Sequence, residues 1–394
     1  MRNRICPLIM ILVSMLLAAC NESTSETSET TSGQPEVVAD EIPETSPQTT
    51  PTRVEVTQIP EDEPVTVPPA IAAGEPVVVG AFLRAEADDE YVWVTSAEEG
   101  TLARIDPASG EAARVMKTID GAMDVAVLDG HVWLMAESWL EIDRETMEIV
   151  GSMPRFEESN HFAAAFGSLW VAVESGQAVA NASIIRIDPH ERTVTARIPI
   201  EGVCLTPGAG QTPSLLQLEA YDDAIWALTF CDGDSGYVNV YRIDPDTDTA
   251  IRVAVVSGED NHSIGAHAMT VTSGIPWLVT FDLESGGEMP SRVVRIDPDS
   301  GTSEELGKLG RWPRGILYAK GYLWITDCAD ATVTQVDPST GDVVGDPTVI
   351  ATPAPEDLEE ADEFSCLSDA VLHGSTMWVC SLTDGAIIPV ELGS

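Results

Sequence analysis

Nine or ten residues before each of seven regularly placed tryptophans stands a side chain that can hold a charge, a proton or a hydrogen bond. Counting back nine gives Arg84, Asp124, His161, Gln217 and Asp369. In the two remaining cases the ninth position is Ala268 or Gly315, and the tenth supplies His267 or Arg314. Two guanidiniums, two carboxylates, two imidazoles and an amide on one register suit a small polar ligand or a peptide tip. His161 and His267, with Asp124 or Asp369, could alternatively hold a divalent ion for metal-assisted lyase or hydrolase chemistry. No other reaction is spelled out. No Gly-x-Ser-x-Gly elbow opens a helix, and phosphate loops, CxxC pairs and haem motifs are absent from the chain. No residue is therefore assigned as catalytic, and no cofactor is expected; a divalent metal is possible but nothing indicates it. Trp312, beside Pro313 and Arg314, adds an aromatic platform to the same set, and Trp139 reads as a loop residue able to reach that face.

The elements that must position this set are marked by the tryptophans themselves, Trp93, Trp133, Trp170, Trp226, Trp277, Trp324 and Trp378. They recur at steps of 40, 37, 56, 51, 47 and 54 residues, each inside a short β-prone run such as Val92-Trp93-Val94 or Leu323-Trp324-Ile325. Between 10 and 20 residues later comes an acid after Ile or Val: Asp106, Asp143, Asp188, Asp244, Asp297, Asp337 and finally Glu391. In Asp106-Pro-Ala-Ser-Gly110 and Asp337-Pro-Ser-Thr-Gly341 the chemistry is that of a turn. The carboxylate accepts from nearby amides, Pro presets φ, and Gly supplies a left-handed residue. Each repeat thus reads as strand A, a tight turn, the Trp strand B, a variable loop, strand C ending at the acid, and strand D. Four short strands per repeat of about 40–50 residues describe a β-propeller blade. The fold class is all-β: one seven-bladed propeller over 65–394, four antiparallel strands to a blade.

Closure follows from what the last repeat lacks. It has strands A, B and C and then stops, whereas spare β-prone sequence, Pro64–Val67 and Pro76–Val79, precedes the first repeat. One of these segments is expected to complete the seventh blade and so remove a raw sheet edge. In such a ring the A strands line the channel. Their first residues, the set above, would form one mouth together with the D–A and B–C loops. Inner strands favour Val, Ile and Ala, so polar residues there stand out.

The blade pattern resembles the YVTN-type and streptogramin-lyase-type propellers, over roughly Pro76 to Ser394. That resemblance implies the fold and leaves the activity open, because the scaffold serves lyases, sensors and binding proteins alike. Streptogramin lyases carry a Leu-Trp-Phe-Thr-Glu strand and a His/Glu set around magnesium. Here the equivalent strands read VWVT, VWLM, LWVA, IWAL, PWLV, LWIT and MWVC, with no Phe-Thr-Glu anywhere. No lyase residue carries over.

Five cysteines fall in the propeller, and the expected compartment is oxidising. Cys204 enters the fourth A strand, and Cys231 lies in that blade's B–C loop. Cys328 and Cys366 stand in the same relation across the sixth and seventh blades. Both pairs are expected as disulfides, with Cys380 a buried thiol; Cys366–Cys380 is the alternative. Asp244-Pro-Asp246-Thr-Asp248 opens like a calcium loop but lacks the glycine and closing glutamate that such a loop needs, so it reads as a turn.

At the N-terminus, Arg2 and Arg4 precede an apolar stretch from Cys6 to Ala19, too short for a membrane-spanning helix. Leu17-Ala18-Ala19-Cys20 resembles a bacterial lipobox, which implies a signal peptide over 1–19 and acylation of Cys20. Residues 20–64, rich in Ser, Thr, Glu and Pro, read as a disordered tether. The expected location is the bacterial cell envelope, extracytoplasmic and lipid-anchored, with the bilayer as one partner through Cys20. With 20 basic against 65 acidic residues, a net charge of −45, the chain offers no phosphate-binding surface, which excludes nucleic acid. The expectation is a monomer acting as a non-catalytic module for a small polar ligand or an unknown protein.

Overall fold

The computed structural model describes residues 71–80, 83–117, 121–156, 159–173, 182–204, 212–232, 236–258, 263–282, 291–310, 312–353 and 367–393. The leader, Cys20, the tether, the Pro64–Val67 segment and Cys366 lie outside the described residues.

Seven antiparallel sheets form a ring, with the first strand of each innermost. The inner strands are Leu83–Ala87, Asp124–Leu128, Ser159–Ala165, Thr212–Tyr221, Ile264–Thr272, Pro313–Ala319 and Leu367–His373, in blades 1 to 7. Each lies beside its two neighbours around the channel, and the seventh lies beside the first. The closing strand comes from the N-terminal side, as anticipated, but in two short pieces. Ala72–Ala73 pairs with Val390 and Glu391, and Val77–Val78 pairs with Ala386 and Ile387. Between them the Gly74 amide donates to the Pro389 carbonyl at 2.7 Å.

The spacing of the tryptophans has a packing cause. All seven are at most 3% exposed, and each fills the gap between its own blade and the next. Trp93 packs on Val125 and Leu134 of blade 2, Trp170 on Leu215 and Ile225 of blade 4, and Trp378 on Leu83 and Val94 of blade 1. One large ring per interface thus builds seven cores, and deleting one costs roughly 3–5 kcal/mol. Trp139 corrects its sequence reading: it lies in the C strand Ser138–Asp143, fully buried between Phe156 and Phe162. It does not reach the mouth.

The aspartate motif is a turn wherever it occurs. Asp106, Asp143, Asp188, Asp244, Asp297 and Asp337 each accept from an amide two residues on, at 2.8–3.1 Å. Four residues after each, the chain is left-handed: Gly110, Gly301 and Gly341, but also Met147, Arg192 and Asp248 at φ 53°. Asp244 and Asp248 therefore serve a turn, with Asp248 paired to Arg186 at 3.2 Å.

The blades differ in height. In blade 4 the A and B strands run ten and nine residues, against five each in blade 1. Three added pairs, Thr212 to Ser214 with Phe230 to Asp232, lie on the mouth side of Gln217. They raise this wall by roughly 10 Å at ~3.3 Å per residue. The Cys204–Cys231 disulfide forms there over Tyr237. Cys231 lies within the lengthened B strand rather than in a loop. Cys328 is buried, and Cys380 is a buried thiol in the B strand of blade 7.

Candidate functional site

Arg84, Asp124, His161, Gln217, His267, Arg314 and Asp369 all line one cavity of about 470 Å³ inside the ring of A strands. Seven blades each deliver one of them. In blades 5 and 6 the polar lining residue is the tenth rather than the ninth, and it sits in a β-bulge. The A–B register slips between Ala266 and Ala268 and between Pro313 and Gly315. His267 and Arg314 are thus the extra residues of β-bulges, and a bulge re-aims its side chain. Blades 3, 4 and 7 slip at the same level.

Three of the seven are engaged by the fold. Asp124 accepts from the amides of Val125 and, in blade 3, Phe162, both at 2.9 Å. Asp369 accepts from Ala370 and, in blade 1, Ala85, at 3.0 and 3.1 Å. Gln217 grips Met269 of blade 5 twice, its Oε1 accepting from the amide at 2.7 Å and its Nε2 donating to the carbonyl at 2.9 Å. Each staples an inner strand to that of the following blade, satisfying backbone groups that no sheet ladder reaches.

The other four are not engaged in this way. Among the described residues the Arg84 and Arg314 guanidiniums form no ion pair, and His161 makes no side-chain hydrogen bond. Burial and then the Arg84 charge push the His161 imidazole down to about 3, so it is neutral. His267 is held well below its usual value by burial and by Arg314. Arg314 Nη1 lies 3.3 Å from His267 Nδ1, while the His267 ring stacks on Phe281 at 4.1 Å and 14°. Trp312 does not itself line the cavity. It sits beneath Arg314, whose guanidinium carbon is 4.7 Å above the indole.

Two acidic lining residues were missed by counting to the tryptophan. Glu86 and Glu219 lie two positions beyond Arg84 and Gln217 and share their strand face, so the two-residue period of a strand was the signal available. Burial, with help from Asp124 and Asp369, pushes the Glu86 carboxyl up to about 8. Glu219 is raised by burial to about 7, against hydrogen bonds from the Val271 amide and the Thr270 hydroxyl. Asp124 rises to about 6, burial outweighing the Arg84 charge and its two amide bonds. His161 and His267 belong to blades 3 and 5, and among the described residues no three His, Cys, Asp or Glu side chains gather as a metal-ligand set.

No family model matches this chain, and no curated protein matches it in sequence. Solved structures do match in shape. The hydrazine synthase of Kuenenia stuttgartiensis aligns at TM-score 0.62 and 13% identity, covering 80% of this chain and 96% of that one. The β-propeller domain of Cps50 (Swd1) from Myceliophteria thermophila aligns at 0.53 and 10%, covering 81% and 99%. A computationally designed protein, Ika8, aligns at 0.50 and 13%, covering 80% and 98%. At such identities the likeness concerns the propeller fold alone.

Proposed function

We propose that this chain is a lipid-anchored, extracytoplasmic propeller of the YVTN and streptogramin-lyase-like kind. In this reading it acts as a non-catalytic module that binds a ligand or protein at its channel mouth. One observation carries the binding role: seven blades each send a polar side chain to one cavity, and the fold employs only Asp124, Gln217 and Asp369 as staples. Arg84, His161, His267 and Arg314 are left facing it. Buried polar groups that the architecture does not need are retained for what they contact. The tether would hold the face clear of the bilayer and let it search for partners.

The test is a thermal-shift ligand screen on the full chain, repeated with Arg84→Gln, His161→Gln and Arg314→Gln. A ligand whose stabilisation shrinks in those variants supports the mouth; hits indifferent to all three overturn it. Bound divalent ion at one per chain, lost in His267→Ala, would turn the reading to a metal-assisted enzyme. Anchoring is tested separately: Cys20→Ala should abolish membrane partitioning and lipid labelling, and unchanged partitioning would refute it.

A further inference from the structure

Arg314 stands apart because, among the described residues, no carboxylate pairs with it. Its guanidinium is fixed from below by Trp312, and Trp312 is itself pinned. The Trp312 amide donates to Asp327 Oδ2 at 3.1 Å, and its carbonyl accepts from Cys328 at 2.8 Å. From the side it is fixed by His267. A guanidinium can only donate, so His267 Nδ1 is the acceptor and the ring proton sits on Nε2. The Arg314 guanidinium, held by Trp312 and His267, thus lines the cavity with no carboxylate paired to it among the described residues. A guanidinium fork held in this way matches a planar oxyanion.

We propose that Arg314, held in place by His267 and Trp312, is an anchoring subsite for the carboxylate group of a small molecule entering the channel mouth. The inference rests on the mouth being the binding face and names the ligand's class. A carboxylate fits better than a phosphate for two reasons. The fork accepts two coplanar oxygens, and a protein of net charge −45, with Asp369 on the adjoining blade, repels a dianion more than a monoanion. A small molecule fits because the cavity is about 470 Å³.

The experiment titrates the full chain, labelled with ¹⁵N-histidine, with sodium acetate, sodium L-glutamate and sodium phosphate at constant ionic strength. The His267 ring signals should move saturably with the two carboxylates and less with phosphate. Arg314→Gln should weaken that binding by about 10- to 100-fold, the range for losing a charge-assisted pair, while Arg242→Gln, at a surface ion pair on the third strand of blade 4, leaves it unchanged. If Arg314→Gln does not fold by circular dichroism, Arg314→Lys carries the test, keeping the charge but losing the fork, with about tenfold weaker binding expected. Binding lost in Arg84→Gln but kept in Arg314→Gln would overturn this subsite and leave the mouth standing. So would phosphate binding as well as acetate, or no saturable shift with any probe. Saturable binding that survives Arg84→Gln, His161→Gln and Arg314→Gln alike would overturn the mouth as well.

Discussion

Arg84 and Arg314 face the same channel from blades 1 and 6, yet they keep opposite company. Around Arg84 stand Asp124, Asp369 and Glu86, near enough that its charge lowers Asp124 and His161 and that Asp124 and Asp369 raise Glu86. Around Arg314 stand Trp312, His267 and, stacked on that imidazole, Phe281. On the first side Asp124 and Asp369 staple strands and also moderate the Arg84 charge. The second is a cation framed by rings. Both guanidiniums face the channel, but only the first has its neighbouring carboxylates shared with the architecture.

Three measurements would break or sharpen that contrast. The largest effect should come from Asp124→Ala, which strands the Phe162 amide and removes a counter-charge of Arg84. We expect unfolding free energy in urea to fall by about 3 kcal/mol; a loss below about 1 kcal/mol would mean the staple is not structural. Glu86→Gln should come next. Its folded value of about 8 exceeds its ordinary 4.5, so the folded chain keeps a proton that the unfolded chain releases. That stability is fully present below about pH 4.5 and is lost as pH rises through about 8. Glu86→Gln should therefore raise stability by about 2 kcal/mol at pH 8, change little at pH 4, and flatten the slope between them. The smallest effect belongs to Arg314→Gln: stability within about 0.5 kcal/mol of the parent in the same urea titration, since no ion pair is broken. A loss comparable to that of Asp124→Ala would make the two sides alike.

The fold was legible because two markers sit where physics leaves little choice: a large ring at every blade interface and an acid at every C–D turn. Even Met147, Arg192 and Asp248, which hide the turn's left-handed residue from a search for glycine, are flanked by legible aspartates. The mouth was legible in position because register runs back from the tryptophan. Its roles were not. That Asp124, Gln217 and Asp369 reach the next blade's backbone depends on the gap between inner strands, which no spacing along one strand encodes. The bulges at His267 and Arg314 left a trace in Ala268 and Gly315 without announcing a change of direction. Trp139 misled because a C strand beginning at Ser138 gave no warning in a short B–C connection.

The two-piece closure of blade 7 has a mechanical consequence. Both the first described residues and the last described strand end in that one blade, so tension applied across the chain's two ends is carried there first. The contacts nearest the N-terminal side, Ala72 on Glu391 and Ala73 on Val390, would open before Gly74 on Pro389, and that before Val77 and Val78 on Ile387 and Ala386. Behind them the Val79 and Gly80 amides both hold the Gly385 carbonyl at 2.9 Å. The closure therefore yields in steps, like a zip with a stop; Lys320 of blade 6, which donates to the Leu392 and Gly393 carbonyls, shares the load, and blades 2 to 5, which bear both channel histidines, lie outside it.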